Sequence, residues 1–223
     1  MDGVSFARVA LIGCGHIGGS WALALRRVAP AVHIRGYDAD ADAAARALSL
    51  GLVDALAEDV TRVVRDAELV LLAAPVRAIP ELARLIAAHV APGAIVTDVG
   101  STKAAIVAAC EAALAGRTHF VGAPPMAGTE RSGPDAALAT LFDGRAVVLT
   151  PTAATDAAAG EAVASMWRAL GARVVLLAPA AHDAAIASAA RMRKPPSEVT
   201  ILGTNVTSEC RWAAAFRGRT TSA

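Results

Sequence analysis

The stretch Gly13-Cys14-Gly15-His16-Ile17-Gly18 limits what this chain can fold into more than any other feature. It follows a short apolar run at residues 8–13 and opens a helical pattern over residues 16–28. A second apolar run at residues 32–38 ends in Asp38, about 20 residues beyond Gly18. Three glycines at this spacing are weak evidence alone. Between a strand and a helix, with an acid closing the next strand, they read as a dinucleotide-binding turn. Gly13 permits the tight turn, Gly15 lets the backbone approach a pyrophosphate, and Gly18 lets the helix pack closely on the strand. The helix N-terminus then offers unpaired N–H groups and a partial positive charge to the phosphates. Asp38 suits hydrogen bonds from the adenosine ribose hydroxyls. A carboxylate there repels a 2′-phosphate, and Ala39 and Asp40 supply no arginine to offset it, so NAD is expected in preference to NADP. The plainer alternative is that the glycines only make a turn and Asp38 only ends a strand. Cys14, His16 and Ile17 are counted with the loop as cofactor-side residues. His16 beside phosphates reads as a loop-filling or capping group before a catalyst, and nothing marks Cys14 as a reactive thiolate.

The pattern of the first segment repeats along the chain. Further strands are expected at residues 68–73, 94–98, 120–122, 146–150 and 173–177, with helices at 41–50, 79–89, 102–114, 135–141 and 156–170. Runs such as Leu69-Val70-Leu71-Leu72 are apolar on both faces, as strands are when helices cover both sides of a parallel sheet. This alternation predicts an α/β fold, a doubly wound Rossmann-type parallel sheet. A hydrophobic fraction of 55%, much of it alanine, gives such a fold ample core. The formal net charge of +1 argues against nucleic acid or an anionic membrane surface as partner. Cys14, Cys110 and Cys210 form no CxxC pair, which argues against a metal site or disulfide framework and for a reducing cytoplasm. No run of apolar residues is long enough to span a membrane, and the N-terminal run reads as a strand and not as a signal peptide.

Two more segments narrow the reading. Asp98-Val99-Gly100-Ser101-Thr102-Lys103 follows a strand and opens a helix. Then comes Phe120-Val121-Gly122-Ala123-Pro124-Pro125-Met126-Ala127-Gly128-Thr129-Glu130, running on through Ser132-Gly133 to Thr150-Pro151. With Gly13–Ser20, their order and spacing resemble the prephenate dehydrogenase family, which includes arogenate dehydrogenases; the resemblance covers about residues 8–188. It implies NAD-dependent oxidative decarboxylation of prephenate to 4-hydroxyphenylpyruvate, a step of tyrosine biosynthesis, with prephenate or arogenate as the small-molecule substrate. Aromatisation drives that step, so the protein mainly aligns the partners and removes a hydroxyl proton. By the resemblance, Ser101 hydrogen-bonds near the reacting hydroxyl and the nicotinamide, although its position also fits a helix N-cap. Thr129 and Glu130 match residues on the substrate side, with a solvated loop acid as the plainer reading of Glu130. Ala74 and Pro75 match the loop that covers the cofactor.

The chain departs from the family pattern twice. Where the third segment should carry a histidine, the usual acceptor of the substrate hydroxyl proton, it carries Pro124. His119 is a poor substitute, since five extended residues span roughly 16 Å. Further on, His182-Asp183 and Ala187-Ser188 match the start of the family's helical second domain, but a serine-histidine-leucine-proline-histidine segment is expected where Ala190-Arg191-Met192-Arg193-Lys194 stands. Residues 189–223 hold six basic residues against two acidic ones and no sustained helical period. The division expected is therefore an NAD-binding domain over residues 1–180 and, over 181–223, a truncated or altered remnant of the helical domain. That remnant reads either as a disordered basic tail or as a partly folded appendage, and a shifted reading frame would account for it. The family's homodimer would rest on the unmatched segment. Two further readings stay open: an NAD-binding remnant or regulatory module with little turnover, and another Rossmann oxidoreductase, for example one acting on a β-hydroxyacid.

Overall fold

The computed structural model describes residues 4–127 and 130–191. The first apolar run forms β1 (Arg8–Ile12), and the glycine turn leads into α1 (His16–Val28). Then follow β2 (His33–Tyr37), α2 (Ala41–Ser49), β3 (Ala55–Leu56) and α3 (Val60–Val63). The second half runs β4 (Leu69–Leu72), α4 (Ile79–Ile86), β5 (Ile95–Asp98), α5 (Ala104–Leu114) and β6 (His119–Gly122). These six strands form one parallel sheet in the order β3-β2-β1-β4-β5-β6. The order reverses between β1 and β4, so the carboxyl ends of those two strands open the crevice where such sheets hold ligands.

Strand alternation explains why both faces are covered. Val9, Leu11, Leu69 and Leu71 point into one buried cluster with Trp21, Leu25 and Trp167. Their neighbours Ala10, Ile12, Val70 and Leu72 point into the other, with Ile79, Ile106 and Cys110. A strand buried on both sides has no polar face to spare, which is why these runs read as unbroken hydrophobes. The chain then adds β7 (Ala146–Leu149), α6 (Ala157–Ala169) and β8 (Arg173–Leu176), with β7 and β8 parallel. This pair joins the main sheet through the residues after β6. Thr150 N–H donates to Gly122 O at 2.9 Å, Val148 N–H to Pro124 O at 3.0 Å and Met126 N–H to Ala146 O at 2.7 Å, an antiparallel ladder. Pro124 accepts in that ladder and has no N–H to give back. Last comes α7 (Pro179–Arg191), which packs on α5. No helix among the described residues is long and apolar enough to cross a membrane.

The expected alternation holds, with two differences. The short β3 and α3, only 2 and 4 residues long, give too little periodicity to read. The helix expected at residues 135–141 is instead a single 3₁₀ turn, Pro134–Ala136, after which Ala137 is extended. Its backbone groups are taken by distant partners: Ala136 O accepts from His16 Nδ1 at 2.7 Å, and Leu138 N–H donates to Ser20 Oγ at 2.9 Å. Those bonds replace the ladder a helix would have formed. Of the basic tail expected at 189–223, the backbone to Arg191 continues α7, and residues 192–223 lie outside the described residues, as does Thr129.

Candidate functional site

A cavity of about 570 Å³ lies at the carboxyl ends of the central strands. One wall is the glycine turn, represented by Gly15, His16 and Ile17. Gly13 has φ +98°, and a Cβ built there would lie 2.4 Å from the Ala73 carbonyl oxygen. Only glycine allows that backbone to cross β4's end so closely. Gly15 differs, because a Cβ there meets no protein atom within 4 Å, leaving the turn open on the side a pyrophosphate would approach. Gly15 is also the N-cap of α1, with no side-chain cap bond and no acid in the first turn, so the helix end is left for an anion.

Asp38 reaches this turn directly. Its Oδ2 accepts from Cys14 N–H at 2.7 Å and its Oδ1 from Asp40 N–H at 3.0 Å. The Cys14 side chain faces the interior; burial, and then the nearby Asp38 charge, push its thiol up to about 12, so it is a neutral packing group. His16 is also buried, and because a carbonyl can only accept, its Nδ1 carries the proton given to Ala136. The imidazole therefore ties the 3₁₀ turn at Pro134–Ala136 to the glycine turn.

Ala74 and Pro75 form the neighbouring wall with Val76, and Ser101 stands exposed at the far rim beside Val99 and Gly100. Glu130 is exposed and does not line the cavity, whereas the adjacent Arg131, Ser132 and Gly133 do. Pro124 is buried within the β7 ladder, with Pro125, Met126 and Ala127 carrying the chain along the cavity. His119 begins β6 opposite Ile95, at the other end of the sheet. Arg131 and Ile186 were not singled out from sequence. Arg131, the one arginine or lysine on this lining among the described residues, follows the Thr129-Glu130 pair directly in sequence, which was the available signal; Ile186 had none.

The bend carrying Ser101 is held from beneath. Asp98, at the end of β5, and Lys103 form an ion pair with both side chains fully buried. Asp98 Oδ2 also accepts from Gly100 N–H at 2.8 Å, while Oδ1 has no hydrogen-bond partner among the described residues. Burial pushes this carboxyl up, against the pull of the Lys103 ammonium. Removing one member of such a pair costs about 3–5 kcal/mol, because the other charge is left buried alone. Ser101 does not cap α5. Lys103 occupies the cap position without a side-chain bond, and the free N–H groups of Lys103 and Ala104 donate instead to Asp183 of α7, at 2.7 and 2.9 Å.

Burial pushes the Asp183 carboxyl up, but the hydrogen bonds from Ala104 N–H, His182 and Lys103 N–H outweigh it and hold it below the ordinary range. A carboxyl depressed on folding adds stability above its unfolded value of about 4 and loses it as pH falls through the folded value. The melting temperature should thus drop on acidification below about pH 4, and Asp183→Asn should flatten that drop. Melting curves read by circular dichroism across pH check this; identical acid profiles would refute it.

A parallel sheet with a glycine turn at its switch point, an uncapped helix end and an acid closing β2 defines a dinucleotide-binding Rossmann domain. Residues 21–176 match the family described as prephenate dehydrogenase, nucleotide-binding domain, and the chain belongs to that family. A cyclohexadienyl dehydrogenase of Zymomonas mobilis is 37% identical over 182 residues, 82% of this chain and 62% of that protein. A prephenate dehydrogenase of Bacillus subtilis is 36% identical over 176 residues, 78% of this chain and 47% of that protein. The chain thus spans about half to three-fifths of these relatives. Among solved structures, prephenate dehydrogenase from Aquifex aeolicus in complex with hydroxyphenyl propionate and NAD+ aligns with a TM-score of 0.76 at 32% identity, covering 85% of this chain and 70% of that one.

Proposed function

We propose that the chain binds NAD along the glycine turn and serves the NAD-dependent oxidative decarboxylation of prephenate, or of arogenate, to an aromatic product. The observation that carries this reading is the Asp38 carboxylate bonded to Cys14 N–H at 2.7 Å, beside an open Gly15 and a cavity that ends at Ser101. In this reading Gly13, Cys14, Gly15, His16, Ile17 and Gly18 shape the phosphate turn, with His16 acting through the 3₁₀ turn. Asp38 takes the ribose hydroxyls, and Ala74 and Pro75 cover the dinucleotide. Bound NAD supplies the hydride acceptor. Ser101 orients the substrate hydroxyl, and Thr129 and Glu130 belong to the substrate side. As the ring carbon gives up its hydride, the ring carboxylate leaves as CO2 and the hydroxyl proton must go to a base. The residues from 181 onward are assigned to the substrate and homodimer half.

A second reading, a dinucleotide-binding module with little turnover, is favoured by one observation: Pro124 offers no base where the family pattern has histidine. Calorimetric titration tests the cofactor part. NAD should bind and NADP should bind far more weakly; Asp38→Ala should weaken NAD by about tenfold, the loss of one or two charge-assisted hydrogen bonds. Equal affinity of the wild type for both nucleotides would sink the assignment of Asp38. Adding prephenate and following NADH absorbance then separates the two readings.

A further inference from the structure

We propose that Asp183 is a positioning residue for Ser101: a carboxylate on α7 sets where the Ser101 hydroxyl stands at the cavity rim. The proposal rests on the reading of Ser101 given above. The connection runs through Lys103, two residues beyond Ser101. Its backbone N–H donates to Asp183 Oδ1 at 2.7 Å, and the next N–H, of Ala104, donates to Oδ2 at 2.9 Å. Its side chain pairs at the same time with Asp98, whose Oδ2 holds Gly100 N–H at 2.8 Å. Ser101 therefore lies between Gly100, held by one carboxylate, and Lys103, held by two.

Asp183 does for α5 what a cap side chain normally does from the residue before a helix. It does so across 80 residues of chain, because the local sequence supplies no cap. Without it, the Lys103 side chain would still be tethered to Asp98, but the first turn of α5 and the C-terminal end of the bend could shift. Asp183 is itself aligned by the buried His182, whose Nδ1 lies 2.9 Å from Oδ1. Three residues further along α7, Ile186 lines the cavity, so the helix that holds the bend also forms part of the wall. By this geometry, the placement of α7 is felt at the substrate and nicotinamide end of the site and not at the glycine turn.

Two probes separate those ends: ADP-ribose, which reaches only the glycine turn and Asp38, and NAD, which adds the nicotinamide. In the full chain, Asp183→Ala should weaken NAD about 3- to 10-fold, the worth of one cap, and leave ADP-ribose within about twofold. Asp183→Asn, whose amide oxygen still accepts a backbone N–H, should recover part of the loss. Ser101→Ala should show the same split, and the double variant should bind NAD no more weakly than the worse single one, since the two act through one interaction. Unchanged NAD affinity in Asp183→Ala, an equal loss for both probes, or additive losses in the double variant would each overturn the proposal. Ser101→Ala binding NAD like the wild type would overturn it while leaving the glycine-turn reading intact. A wild-type chain that binds neither probe would instead remove the cofactor reading and, with it, this proposal.

Discussion

Gly18→Ala is expected to lose NAD binding together with much of the domain's stability. A Cβ at residue 18 would stand 2.0 Å from the Gly13 carbonyl oxygen and 3.1 Å from Ala73 Cβ. The oxygen belongs to a turn already pinned by Gly13 N–H on Tyr37 O at 2.9 Å, so it cannot simply move aside. Overpacking a close contact costs about 1–3 kcal/mol, and more when backbone blocks relaxation. At 1.4 kcal/mol per factor of ten, NAD affinity should fall by about fivefold to more than a hundredfold. The turn proposed to hold the phosphates is the part that must shift. Gly15→Ala makes the comparison sharp, because its Cβ meets nothing within 4 Å in the protein. That variant should melt close to the wild type yet bind NAD poorly, since the methyl group occupies the space the pyrophosphate needs. Thermal melts and calorimetry on both variants decide the matter. A Gly18→Ala chain with wild-type melting and affinity would show that α1 does not pack as described.

Pro124→His carries the second large effect. General-base catalysis contributes typically about 10²–10⁴-fold, so restoring an imidazole at residue 124 should raise NADH formation from prephenate by a comparable factor. The backbone there already accepts from Val148 N–H at 3.0 Å, a bond the substitution leaves in place. Because Pro124 is buried, the new ring must turn toward the cavity along Pro125 and Met126, so stability should be checked alongside turnover. An increase would identify the absent base as the defect. A stable variant that binds NAD but forms no NADH would favour the binding-module reading and place the shortfall in the substrate half.

Local patterns were the legible ones. The glycine turn, the acid ending β2 and the two-sided hydrophobic strands each express themselves within about 30 residues, the length of one βαβ unit. Boundaries blurred where propensity and tertiary demand disagree. Residues 135–141 look helical, yet Ala136 and Leu138 bond to His16 and Ser20 on α1. Gly19 makes room for that crossing, since a Cβ on it would lie 3.0 Å from Ala137 Cβ. Ser101 resembles a cap because it precedes a helix, but the helix starts at Ala104 and draws its cap from α7.

By itself, then, the sequence determined the class of sheet, the place of the glycine turn and the family, because periodicity and short spacing encode them directly. The tertiary structure alone decided which groups meet across the fold. Asp183 caps α5, His16 pins a loop 120 residues away, and Ile186 reaches the cavity wall. The reason is that buried backbone and side-chain polar groups must find partners, and which partner is within reach depends on how the packed elements cross, not on neighbours in the chain.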